Sequence, residues 1–128
     1  MMQKRAVCLN CIDGRVLLPA INWIKDNNAI DCVDMITEPG MDGFLADTNS
    51  SLDAINQKIQ ISIDKNAASM IFVIGHHDCQ GNPVHESVHR EHIASAVVRL
   101  KDCFSAITIA GLWINDQWTV ELCKNDNQ

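Results

Sequence analysis

The chain is predicted to form an α/β fold, with a mostly parallel central sheet flanked by helices and an antiparallel fifth strand. Three observations predict it. Short apolar runs alternate with segments of helical period, the pattern of strands joined by helical crossovers. The run Met70-Ile71-Phe72-Val73-Ile74 is continuous and bounded by Gly75, as in a strand buried on both faces. Near the end, Asn115-Asp116 separates two strand-like segments as a tight turn does. The chain has 128 residues, 47% of them apolar, which suits one domain over 1–128 with a single hydrophobic interior.

The first strand is expected over Arg5 to Asn10. A helix opens around Leu18-Pro19, where proline's missing N–H is not needed. Leu17, Ile21 and Ile24 form its apolar face, and Asn27-Asn28 stops it. Strand two spans Ile30 to Thr37, followed by a loop from Glu38 to Gly43. The next helix starts near Ser50-Ser51, with Ser50 and Asp53 as a weak capping box. Leu52, Ile55, Ile59 and Ile63 are its buried stripe. Strand three covers Ser69 to Ile74. The last helix begins at Asn82-Pro83 and runs to about Asp102, with Ile93, Val97 and Leu100 inward. Strand four spans Ala106 to Ile114, and Gln117 to Cys123 returns as the fifth. Lys124 to Gln128 reads as a frayed end. The expected strand order is 2-1-3-4, with the fifth strand added at the edge.

The net charge of −6 argues against nucleic acid, which needs a basic face. No apolar run approaches the ~20 residues of a membrane span. The N-terminal Met1-Met2-Gln3-Lys4-Arg5 lacks a signal peptide's apolar stretch, so a cytoplasmic location is expected. In that compartment six cysteines point to metal ligands, buried thiols or redox chemistry rather than disulfides.

The chemistry gathers in two short stretches. Gly75-His76-His77-Asp78-Cys79 follows strand three, and Cys11-Ile12-Asp13-Gly14-Arg15 follows strand one. With strand one between strands two and three, the winding reverses there, and ligands of open α/β sheets bind beyond the carboxyl ends at such a reversal. Cys11, His76 and Cys79 would then supply two sulfurs and a nitrogen to zinc, leaving one open position, as catalytic zinc sites do. Zinc lowers the pKa of bound water toward ~7 and so yields hydroxide at neutral pH. Asp13 is placed to accept a hydrogen bond from that water, with Arg15 holding the carboxylate through a bidentate pair. An inward swing of Asp13 would instead close the fourth position.

Other patterns compete. His85-Glu86-Ser87-Val88-His89 matches His-Glu-x-x-His, a zinc-binding helix motif with Glu86 as base, and His92 follows. Against it, Pro83 puts His85 in the first turn of the helix. Cys8 and Cys11 form a Cys-x-x-Cys. On an extended strand their odd offset points them to opposite faces, so Cys8 is read as core. Cys32, Cys103 and Cys123 are read as packing residues, His77 as polar surface, and Trp23, Trp113 and Trp118 as core or dimer contacts.

The pair Cys11-Ile12-Asp13-Gly14-Arg15 and His76-His77-Asp78-Cys79 resembles the Cys-x-Asp-x-Arg and His-x-x-Cys motifs of the β-class carbonic anhydrases. The hairpin from Gly111 to Glu121 is also similar to that family's ending, so the likeness covers most of the chain. The resemblance implies zinc held by Cys11, His76 and Cys79, with the Asp13–Arg15 dyad governing the fourth position. It also implies a homodimer or higher oligomer and a zinc lyase hydrating carbon dioxide reversibly to bicarbonate through zinc-bound hydroxide. Set against the family, the chain reads as short, and no N-terminal helical arm is expected from it. It has Thr37-Glu38-Pro39-Gly40-Met41-Asp42-Gly43 after strand two, and Gln80 before Gly81. Carbon disulfide or carbonyl sulfide hydrolysis, and non-catalytic zinc binding, are the alternatives.

Overall fold

In the computed structural model, which describes residues 3–125, the strand–helix alternation builds one five-stranded sheet. Strands β1 (Arg5–Asn10), β2 (Cys32–Thr37), β3 (Met70–His76) and β4 (Thr108–Ile114) are parallel, and β5 (Val120–Asn125) pairs antiparallel with β4. The order is β2-β1-β3-β4-β5, the expected one. The helices are α1 (Leu17–Asn28), α2 (Met41–Ala46), α3 (Asp53–Asn66) and α4 (Glu86–Cys103).

Period-two alternation along the strands sorts their side chains into two hydrophobic layers. Val7, Leu9, Ile71, Val73 and Ile109 pack with residues of α2, α3 and α4. Ala6, Cys8, Phe72, Ile74 and Ala110 pack on the opposite face with Ala20 and Ile24 of α1. One helix on one face and three on the other follow from right-handed crossovers that change direction beside β1.

Several boundaries differ from expectation, each for a local reason. At α1 the fully buried line runs from Val16, the residue before the helix, to Ala20 and Ile24, whereas Leu17 and Ile21 are only half-buried. The loop after β2 contains a six-residue helix, α2, that periodicity cannot flag at such length and with Gly43 inside it. The expected Ser50 cap does not form. Ser50 Oγ donates instead to the Phe44 and Asp47 carbonyls, and α3 starts at Asp53. Helix α4 starts at Glu86, with Asn82 and Pro83 in the preceding loop. The turn after β4 extends from Asn115 to Thr119, so β5 begins at Val120 and takes in Lys124 and Asn125, which were expected to fray. The rest of that expected fray, 126–128, and Met1-Met2 lie outside the described residues. Among the described residues no helix is long and apolar enough to cross a membrane.

The loops after β2 and β3 pack tightly against each other. Gly40 sits at φ 59°, and a Cβ there would lie 2.5 Å from the Gly81 backbone. Only glycine meets both demands, the left-handed conformation and the close approach. Beneath them lies a buried polar network that removes Asn82 from any capping role. His89 Nδ1 of α4 donates to Asp42 Oδ2 of α2 at 2.5 Å, with both side chains 2% exposed. Asn82 Nδ2 donates to Asp42 Oδ1 at 3.1 Å and to His92 Nδ1 at 3.0 Å.

Removing one member of a buried hydrogen-bonded pair strands the other without compensation. His89→Ala should therefore lower unfolding free energy by about 3–5 kcal/mol in urea titration. A loss below about 1 kcal/mol would show that Asp42 does not depend on this partner.

Candidate metal centre

The site begins at the carboxyl end of β1. Asn10, fully buried, turns its side chain along the following loop. Its Oδ1 accepts from the Cys11 N–H at 2.8 Å and its Nδ2 donates to the Val16 carbonyl at 3.1 Å. These two bonds shape the turn that presents Cys11 inward and Asp13 and Arg15 at its rim. His76 is the last residue of β3 rather than just beyond it, and Cys79 follows after a turn in which Asp78 adopts φ 57°.

Cys11, His76 and Cys79 are all buried, and their ligand atoms lie within 4.8 Å of one another. The two sulfurs are 4.0 Å apart, too far for a disulfide. Two Zn–S bonds of ~2.3 Å at a tetrahedral angle would hold sulfurs ~3.8 Å apart, so the spacing suits a shared ion. His76 Nδ1 donates to the His77 carbonyl at 2.7 Å, which leaves the lone pair on Nε2. That Nε2 is buried with no hydrogen-bond partner. An orphaned imidazole nitrogen facing a sulfur pair needs a ligand, and backbone-anchored Nδ1–H is how ligating histidines are oriented.

Electrostatics agree with a cation. Burial, and then the neighbouring Cys11 thiol, push the Cys79 thiol up to about 11. Burial also pushes His76 below its ordinary value, which keeps the ring neutral. Two thiolates and a neutral imidazole in this interior are stable together only around a positive charge. The donor set therefore fits zinc.

Asp13 and Arg15 pair at the rim. Arg15 Nη2 donates to Asp13 Oδ2 at 2.6 Å and Nε donates to Oδ1 at 3.0 Å, a bidentate grip, while the Arg15 backbone N–H also donates to Oδ1. The guanidinium holds the Asp13 carboxyl down at about 2. Beside it opens a cavity of ≈ 390 Å³ lined by Cys11, Ile12, Asp13, Pro39, Gln80 and Gly81. Its walls are mainly apolar, with the Asp13 carboxylate and the Gln80 amide as polar points.

The structure thus brings together all five residues singled out from the two motifs. It does not assemble the competing ones. His85 precedes α4 as its N-cap, and His89 is occupied by Asp42. Among the described residues, Cys11, His76 and Cys79 are the group able to hold a metal. Cys8 lies in the same hydrophobic layer as Cys11, not on the opposite face, because Cys11 sits past the strand where alternation no longer holds. It is still a packing residue, its thiol pushed up by complete burial. Sequence reasoning missed Asn10 and also Asp78 and Trp118, which both touch Arg15.

The sequence matches the family described as "Putative carbonic anhydrase" over residues 1–124. No curated protein matches the chain. Among solved structures, the fold is similar to the β-carbonic anhydrase isoform I of Trichomonas vaginalis, with TM-score 0.68 and 17% identity over 97% of this chain and 85% of that one. It is similar to one chain from a study of two tetrameric β-carbonic anhydrases of Sordaria macrospora, with TM-score 0.67 and 8% identity over 95% of this chain and 81% of that one. It is also similar to the apo form of a carbon disulfide hydrolase, with TM-score 0.55 and 11% identity over 96% and 80%. At these identities the likeness is one of fold.

Two measurements test this geometry. Zinc binding at pH 7 should release about two protons, one from each thiol, measured by calorimetry in buffers of different ionisation enthalpy. Release of none would remove Cys11 and Cys79 as thiolate ligands. Because the Asp13 pKa is lowered, its contribution to stability is present above the ordinary carboxylate value of about 4 and disappears as pH falls toward about 2. Arg15→Gln should flatten the stability–pH curve across that interval, and an unchanged curve would mean that Arg15 does not hold Asp13.

Proposed function

The chain belongs to that "Putative carbonic anhydrase" family, and from this premise we propose that it catalyses the reversible hydration of carbon dioxide to bicarbonate as a single zinc-binding domain. The observation that carries the reading is the orphaned His76 Nε2 facing two buried thiols, with an ionised Asp13 at the rim of the same pocket. Cys11 Sγ, His76 Nε2 and Cys79 Sγ would hold zinc. When bound, zinc supplies the Lewis acidity that lets water act as a nucleophile at neutral pH.

The remaining work falls to the chain's own groups. The Asp13 carboxylate stays ionised at any working pH, so it accepts a hydrogen bond from the attacking water and orients it without acting as the base. Arg15 keeps that carboxylate in place and offsets its charge. Ile12 and Pro39 give the cavity apolar walls, which admit a small uncharged molecule more readily than an ion. The same walls suit carbon disulfide or carbonyl sulfide, and the fold likeness to a carbon disulfide hydrolase favours that second reading. The loop bearing Pro39, which departs from the family's pattern, is where the two substrates would be told apart.

Ile12, which lines this cavity, and Leu18 at the start of α1 expose large apolar side chains, 59% and 67% accessible. We place a second copy of the chain there, in a homodimer or larger homo-oligomer. Thiolate ligands fit a reducing cytoplasm. The tests are direct. Cys11→Ser or Cys79→Ser should abolish stoichiometric zinc, whereas His85→Ala and His89→Ala should retain it. Asp13→Asn should retain zinc and lose roughly a hundredfold in kcat for carbon dioxide hydration by stopped flow. Full turnover in that variant would remove Asp13 from the reaction, and turnover of carbon disulfide alone would select the second reading.

A further inference from the structure

Arg15 makes more contacts than its pairing with Asp13 requires. Its Nη1 donates to Asp78 Oδ2 at 3.2 Å and its Nη2 donates to the Asp78 carbonyl at 3.1 Å. The indole of Trp118 lies against the guanidinium, with Cζ 4.5 Å from the ring centroid. The His77 ring meets that indole edge-on at 6.3 Å. Three separate segments therefore converge on one cation: the loop after β1, the loop after β3 and the β4–β5 hairpin.

The backbone is bent to achieve this. Trp118 adopts φ 61° and Asp78 φ 57°, both in the left-handed region. Aspartate tolerates that region, but a bulky tryptophan there is a true outlier, kept only where surrounding structure imposes it. The hairpin does impose it. Asn115 Oδ1 accepts from the Gln117 and Thr119 N–H groups, and the Trp118 N–H donates to the Asn115 carbonyl at 3.0 Å. The His77 N–H donates to the Ile114 carbonyl at 2.8 Å, tying the loop after β3 to the end of β4. A glycine at 118 would relieve the backbone but remove the ring from Arg15.

We propose that Asp78 and Trp118 are positioning residues that clamp the Arg15 guanidinium, so that Asp13 stays paired with it. Releasing Asp13 then requires breaking a charge-assisted pair with a second carboxylate and lifting the cation off an aromatic face, as well as undoing the bidentate grip. A lone dyad of exposed residues would exchange partners freely with water. The clamp makes Asp13 a fixed acceptor, and it couples the loop carrying Cys11 to the one carrying Cys79. The inference deepens the proposed reaction and rests on it only for its kinetic consequence.

The test is NMR of the zinc-loaded protein labelled with ¹⁵N-arginine, with Arg15→Lys to identify the Arg15 signal. In the wild-type protein the Arg15 Nε–H should be shifted by the indole ring current and protected from exchange with water. Trp118→Ala should remove the shift and speed exchange about tenfold. Trp118→Phe, which keeps an aromatic face, should restore most of the protection. Asp78→Asn keeps a residue tolerant of the left-handed backbone but loses the carboxylate, and should speed exchange by a smaller factor. In carbon dioxide hydration, Trp118→Ala should lower kcat with KM changed by less than about twofold. Wild-type exchange rates in both Trp118→Ala and Asp78→Asn would overturn the clamp. A wild-type protein inert toward carbon dioxide would sink the proposed reaction instead, while the exchange rates would still decide the clamp.

Discussion

The parallel pairing of β1 with β3 is the constraint on which the rest depends. Its register sets Leu9 beside Val73, so both strands end at the same edge of the sheet. Cys11 leaves β1 two residues later, and His76 closes β3 three residues later. The pairing is possible because α1 covers one face and α2 to α4 the other, so the winding reverses between these two strands and leaves a crevice. A slip of one residue in either strand would turn its apolar residues to the wrong layer and carry a candidate ligand out of the crevice. Burial of Val7, Leu9, Ile71 and Val73 thus fixes the metal-binding geometry as firmly as any contact within the site.

That edge of the sheet is built in two shells of opposite character. The inner one is short of hydrogen-bond partners. His76 Nε2 has none, and the Cys79 thiol is pushed up by burial and by its neighbour. The outer one is saturated. Asp13, Asp78 and Trp118 close around the Arg15 guanidinium, while Asn82 and His89 close around the Asp42 carboxylate and Asn82 also donates to His92. Unmet demand inside a well-satisfied surround is the arrangement expected of a site prepared for an ion that the chain itself does not supply.

How much of this could be read from the sequence depended on the range of the interaction. The strands themselves were legible as apolar runs, and the order 2-1-3-4, adopted because it joins the motif after strand one to the motif after strand three, is the one the sheet has. Helix α2 was not legible, since six residues with a glycine carry no period. The start of α4 was misplaced because Asn82-Pro83 has the local form of a cap, while the Asn82 amide is committed to Asp42, 40 residues away in sequence. Likewise His89 looked like half of a zinc motif until its burial against Asp42 became visible. Trp118 gave no local sign at all, since its contact with Arg15 exists only after β5 has folded back on β4.

Zinc-edge X-ray absorption of the purified protein tests the central claim most directly. The account predicts a first coordination shell of two sulfurs together with nitrogen and oxygen, with Zn–S near ~2.3 Å. A shell of nitrogen and oxygen alone would contradict it, and would move the metal away from Cys11, His76 and Cys79 altogether.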